Sequence, residues 1–523
     1  MQSRDKVVVI GAGLGGLAAA LRLAYAGCAV TVVERHAGPG GKMRTLPSAA
    51  GPVDAGPTVL TMRGVFDALF ADVGARLEDH VTLVPERVLA RHWWPDGSTL
   101  DLFADREESA AAIRAFAGPR AEAEFRAFCR DAARLYTAFD APMMQAARPD
   151  FAQLAGAALR QPRLLPHLMP GATLARALAL RFRDPRLRQL FGRYATYVGG
   201  APQSSPAVLA LIWEAEAHGV WRIDGGMHRL AQALEGLAQA RGATFRYDAH
   251  ATRIEVQSGR AAAVHLACGT RLAADAVVFN GDPAALHRGM LGEAARGAVP
   301  IAAVTPRSLS AQVWAFAACP SRDDLVHHNV FFTADPSAEF GPLRAGNLPD
   351  APTLYVCAQD RGSGAPPPDG PERFEIIMNA PSNSPGAPVE KEDQCRTLVF
   401  ETLARFGLRF DPAPQRAALT TPQGFDSLFP GSDGSLYGRS PHGLTAALKR
   451  PTARSLLPGL YLSGGGVHPG AGIPMATLSG KHAAEAILTD HALTSTSHRT
   501  DTPGGMSTQS RIAERAPSRS SAS

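Results

Sequence analysis

The stretch Val7-Val8-Val9-Ile10-Gly11-Ala12-Gly13-Leu14-Gly15-Gly16 constrains what this chain can fold into more than any other. Its four leading apolar residues read as a strand of a parallel sheet, buried on both faces. Leu14 to Ala26 then carries the alanine-rich turns of a helix, Gly27 is placed to end it, and Ala29 to Val33 forms a second strand running into Glu34. Strand, glycine turn, helix and strand together make a βαβ unit that binds a dinucleotide. In Gly11-x-Gly13-x-x-Gly16, Gly11 makes the tight turn, Gly13 lets backbone approach a pyrophosphate, and Gly16 lets helix pack on strand. Gly15 belongs to the same turn. Glu34, eighteen positions after Gly16, can accept hydrogen bonds from a ribose, and the helix N-terminus offers free N–H groups to the phosphates.

An isolated Gly-rich turn without a ligand is a serious rival, but here strand, helix and acid all stand in place. The unit alone leaves NAD(P) and FAD both open. Pro39-Gly40-Gly41-Lys42-Met43-Arg44 and then Asp54-Ala55-Gly56-Pro57-Thr58 favour FAD. The second glycine pair lets backbone pass close to the same ligand, and Arg44 offers a guanidinium to its phosphates or to the flavin ring. The far end of the chain adds Leu460 to Ser463, a strand, followed by Gly464-Gly465-Gly466-Val467-His468-Pro469-Gly470-Ala471-Gly472-Ile473-Pro474-Met475. Such a loop suits something flat and polar, and a helix starting near Met475 aims its positive end at the flavin N1/C2=O edge.

At 523 residues the chain is too long for one compact core. A net charge of +5 from scattered arginines, with no basic block interleaved with aromatics, argues against nucleic acid as a partner. The six cysteines show no metal spacing and fit a reduced, cytosolic protein, and no metal is expected. Val7 to Ile10 runs into glycine too soon for a signal core, and no apolar stretch is long enough to span a bilayer. Helical spacing dominates from Ala112 to Leu190. Strand patterns return at Thr244 to Glu255, Ala262 to Ala267 and Ala276 to Asn280. Four more lie at Gln312 to Ala317, Asn329 to Thr333, Thr353 to Cys357 and Phe374 to Asn379, and Thr477 to Thr489 reads as a last helix. The expected class is α/β. A Rossmann-like FAD-binding domain occupies residues 1–100 (with the first substrate-domain strands), 226–290 and 446–489. A helical insertion takes 101–225, a mixed-sheet substrate domain 291–445, and a Ser/Thr/Arg-rich disordered tail 490–523.

GAGLGGLAAAL, PGGKMRT, DAGPTVLT, VVFNGDP and GGGVHPGAGIPMATLSGKHAAEAI together resemble the carotenoid desaturase branch of the FAD amine-oxidase-like superfamily, up to about residue 488. HHNVFF, LYVCAQDR and the GGGVHPGAGIPMATLSG ending are most similar to the 1-hydroxycarotenoid 3,4-desaturases of purple phototrophic bacteria. The resemblance implies FAD, a long acyclic carotenoid with a 1-hydroxy or 1-methoxy end group, and a new double bond at C3–C4. Many relatives in the wider superfamily hold the flavin ribityl with an acid where this chain has Gly464-Gly465-Gly466, so that contact is left unassigned.

Oxidation beside a polyene passes through an allylic cation, so positioning in a dry tunnel matters more than a strong base. His468, in the Gly-rich loop, is the side chain to nominate as catalytic, against a histidine that merely holds the loop. His327 and His328 are candidates for the substrate's hydroxylated end. Neighbours in a strand face opposite ways, so one of them at most lines a chamber, and the same geometry argues against a shared metal. Glu214 and Glu216 are candidate acids, against solvated or capping carboxylates. Leu159 to Arg193 alternates leucines with arginines, either as a surface that meets an anionic bilayer from the cytoplasmic side or as an ordinary amphipathic pair. The reoxidant, quinone or oxygen, is not legible. The rivals are a phytoene desaturase or related carotenoid oxidoreductase, a flavin amine oxidase, and a flavin-free lipid-binding escort protein.

Overall fold

The computed structural model describes residues 5–150, 152–154, 156, 169, 171–362, 367–382, 391–443 and 445–497. Strand β1 (Lys6–Ile10) is followed by helix α1 (Leu14–Tyr25) and strand β2 (Ala29–Val33). β1 is central in a five-stranded parallel sheet ordered Leu460–Leu462, Ala276–Phe279, β1, β2, Thr244–Arg246. Three distant parts of the chain thus build one sheet. Val7, Val8 and Val9 are buried, as a strand covered on both faces must be. Residues 251–273 form a separate three-stranded antiparallel sheet rather than continuing this one.

The second large sheet has eight strands. Ser310–Pro320, Glu372–Ala380, Leu354–Ala358 and His328–Phe331 pair antiparallel in that order, and Val88–Trp93 then joins His328–Phe331 in parallel. Alternation sorts the two faces: Phe374, Ile376 and Met378 enter an aromatic and aliphatic core, so Glu375, Ile377 and Asn379 face the other way.

The helical insertion opens with Arg106–Phe139, capped by Asp105, which accepts hydrogen bonds from the N–H groups of Glu107 and Glu108. Gly118 at φ 89°, followed by Pro119, kinks it. Leu174–Arg181 and Pro185–Gly192 pack against this helix through Phe125, Phe128, Phe182, Phe191 and Trp213, all fully buried. Truncating one such aromatic to alanine costs about 3–5 kcal/mol. Residues 159–168 and 170 of the leucine–arginine segment lie outside the described residues.

The last helix differs from expectation at both ends, running Ile473–Ser497. Residues 490–497 are therefore helical rather than part of a tail. Asp490 accepts hydrogen bonds from Tyr461 Oη (2.8 Å) and Arg454 Nη2 (2.8 Å), which anchor the helix beyond its apolar pattern. Residues 498–523 lie outside the described residues.

Candidate active site

A cavity of about 1120 Å³ runs from the glycine turn after β1 to the face of the large sheet that carries Glu375, Ile377 and Asn379. One end is built from glycines that nothing larger can replace. A Cβ on Gly13 would stand 2.7 Å from Asn280 Oδ1, one on Gly15 2.6 Å from the N of Gly464, and one on Gly466 2.7 Å from Pro283. Gly41 crosses directly over Gly13. Glu34 is buried; its carboxylate accepts from the N–H of Ala12 (2.8 Å) and of His36 (2.9 Å) while the residue still lines the cavity. Asn280 Oδ1 is buried with no partner among the described residues. This cradle of close backbone, a ribose-ready carboxylate and an orphaned amide oxygen fits FAD.

Most nominated cofactor residues reach this cavity. Gly11, Gly13, Gly15, Glu34, Gly40, Gly41, Lys42, Gly56, Pro57, Thr58, Gly464, Gly465, Gly466, Gly472, Ile473 and Pro474 all line it. Three do not. Gly16 packs α1 on the turn, where a Cβ would come 2.2 Å from the carbonyl oxygen of Gly11. Met475 lies on a side of its helix away from the lining, Ala476 taking the wall position. Arg44 is outside the lining, donating to Thr420 Oγ1 (2.5 Å) and lying over Phe425.

Lys42 donates to the carbonyl of Leu436 (2.6 Å); burial lowers its pKa to about 8, with Asp282 pulling the other way. Arg450, missed in the sequence, is buried behind the C-terminal glycine loop and donates to the carbonyls of Gly465 (3.0 Å), Tyr437 and Arg439. Burial brings it down to about 10, the largest effect, with Asp282 opposing.

The candidate catalytic and substrate side chains fare differently. His468 is buried away from the cavity, its ring donating from Nε2 to the carbonyl of Ala146 (2.9 Å), and burial lowers it to about 4. It ties the loop to the insertion. Neither His327 nor His328 lines this cavity. His327 precedes its strand, so strand alternation does not separate the two, and the rings sit 4.5 Å apart. His327, His328 and Cys357 place their ligand atoms within 4.8 Å of one another, which corrects the argument from opposite faces. Both His327 nitrogens are engaged, Nδ1 with the Arg361 carbonyl (2.8 Å) and Nε2 with Cys357 Sγ (3.5 Å). His328 reaches the wall only through Tyr355, whose hydroxyl bonds His328 Nδ1 and Thr58 Oγ1, each at 2.7 Å. Glu214 pairs with Arg106 (2.6 Å) and Glu216 with Tyr194 and Tyr197; neither lines the cavity.

Beyond the glycines the walls are largely apolar, with Val313, Phe332, Phe340, Ile377 and Leu436. Ala175, Pro185, Arg186, Arg188 and Gln189 extend the lining into the helical insertion. Two buried acids interrupt this wall. Glu339 is satisfied by Asn379 Nδ2 (2.8 Å), whereas both carboxyl oxygens of Glu375 are without a partner among the described residues. Burial, then Asp54, push Glu375 well above the carboxylate range. The signal for it was present: an acid in the alternating strand Phe374 to Met378, on the face opposite the core.

A βαβ cradle at one end of a long, largely apolar chamber defines an FAD-dependent oxidoreductase. The chain belongs to the family of flavin-containing amine oxidoreductases, whose model matches residues 14–488. It is 62% identical to the hydroxyneurosporene desaturase of Cereibacter sphaeroides over 93% of this chain and 98% of that one. Against the hydroxyneurosporene desaturase of Rhodobacter capsulatus the identity is 55%, over 94% and 99%. Among solved structures, cyclohexylamine oxidase from Brevibacterium oxydans has the same fold (TM-score 0.56, 17% identity, 94% and 100% coverage).

Proposed function

We propose that this enzyme inserts the C3–C4 double bond of acyclic 1-hydroxy- or 1-methoxycarotenoids during bacterial carotenoid biosynthesis. The observation that carries the reading is the continuity of one cavity from the glycine cradle to the apolar face of the large sheet. Bound FAD supplies the hydride acceptor. Val313, Ile377 and Phe332 give the substrate chain an apolar wall, and that confinement aligns the bond to be oxidised. His468 takes no part, since it does not face the cavity.

A substrate of this kind resides in lipid. Leu180 is 71% exposed beside exposed Arg176 and Arg183, next to the residues that extend the cavity into the insertion. This supports docking of the segment on the cytoplasmic face of an anionic membrane, with quinone or oxygen as reoxidant. Among the described residues no helix is long and apolar enough to cross a membrane.

The test is turnover in liposomes with 1-hydroxyneurosporene and, separately, phytoene. A red-shifted product with one more conjugated double bond from the first, and none from the second, is the expected result. Turnover of phytoene alone moves the protein to a phytoene desaturase.

A further inference from the structure

We propose that the carboxyl of Glu375 is the group that recognises the oxygen on C1 of the substrate's end group. The inference rests on the functional reading above. It starts from a buried side chain without partners: Glu375 has no exposed surface, lines the cavity, and leaves both oxygens unbonded among the described residues. A polar group taken out of water and left unpaired is costly, so a wall that retains one is built for a partner that arrives with the ligand. The second cavity acid, Glu339, already has its partner in Asn379 and is free of this argument.

Position agrees. The oxygen on C1 lies no more than about 5 Å from C4, so the group that reads it must stand at the FAD end of the chamber. Glu375 does. It interacts with Tyr437, and the next residue, Gly438, packs against Gly466 of the C-terminal loop, where a Cβ would come 2.9 Å from the Gly466 Cα. Leu436, on the other side of Tyr437, receives the Lys42 ammonium. Opposite Glu375 on the neighbouring strand is Ala315, whose side chain offers the carboxyl no hydrogen-bond partner.

The chemistry fits both end groups. Burial, then Asp54, hold the carboxyl toward its neutral form, with Arg44, which donates to Thr420, opposing them. The neutral acid donates through O–H, and a tertiary hydroxyl and a methoxyl oxygen both accept. A residue that only accepted would reject the methoxyl.

The experiment measures binding of 1-hydroxyneurosporene, its 1-methoxy ether and 1,2-dihydroneurosporene, which lacks only the oxygen, to dithionite-reduced, FAD-loaded enzyme in which no turnover occurs. The wild type is expected to hold both oxygenated chains about tenfold more tightly, the yield of one neutral hydrogen bond. Glu375→Gln, which keeps a donor, retains most of the preference. Glu375→Leu loses it while still binding 1,2-dihydroneurosporene, which also shows that it is folded. A preference intact in Glu375→Leu overturns the assignment to Glu375. Absence of any preference in the wild type instead overturns the substrate reading, and the proposal with it.

Discussion

Gly480→Ala is the substitution that sets two local effects against each other most cleanly. Gly480 sits inside the last helix, where alanine is intrinsically better by about 1 kcal/mol. Its Cβ, however, would lie 2.3 Å from the carbonyl oxygen of Gly15, 2.9 Å from Ala18 Cβ and 3.0 Å from the N of Ala19. Real Cβ contacts do not fall below 3.0 Å, so the helix must retreat from α1 by at least about 0.7 Å, and the obstacle is backbone. Overpacking of this kind costs about 1–3 kcal/mol, and a rigid carbonyl places it at the upper end. The net is a destabilisation of roughly 1–2 kcal/mol. Because the retreating helix carries Ile473 and Pro474 at the cavity, FAD binding weakens by about tenfold as well. Thermal unfolding of the FAD-free protein and FAD titration by fluorescence give the two numbers separately. A Gly480→Ala protein at least as stable as wild type, with unchanged FAD affinity, would refute the close helix contact.

Two further outcomes follow from the site. His468→Ala removes a loop tie and not a base, so kcat in liposomes should stay within about twofold of wild type while stability drops by roughly 1 kcal/mol; a fall of a hundredfold in kcat at full FAD loading contradicts this. Burial holds neutral His327 at about 4 and His92 at about 3, below the ordinary 6.5. The stability they contribute is complete above pH 6.5 and is lost as pH falls toward 4, at about 1.4 kcal/mol per unit per group. Urea unfolding between pH 7 and 4 should show that loss, and His327→Asn should make it shallower by about one proton; an unchanged slope refutes the assignment.

The cradle was legible because it is local. Gly11 to Glu34 is a contiguous βαβ unit, and strand, helix and strand fall where periodicity puts them, within a residue at each end. Arg44 was misread because a cation near a phosphate site attracts a functional reading, while its actual partner, Thr420, lies 376 positions away. His468 was misread similarly: a Gly-rich loop presents backbone to the ligand, and its side chains turn to whatever packs behind, here Ala146. Strand alternation separates side chains only inside a regular strand, and His327 is outside one. Glu375 and Arg450 gain meaning only when distant segments meet, although the alternation in Phe374 to Met378 already set Glu375 apart from the core.

The most direct test of the central claim is an anaerobic single turnover: FAD-reconstituted enzyme mixed with excess 1-hydroxyneurosporene in liposomes, flavin and polyene absorption followed together. The account predicts bleaching of the flavin with formation of one equivalent of a carotenoid longer by one conjugated double bond. An oxidised flavin that persists beside bound, unaltered carotenoid would contradict it.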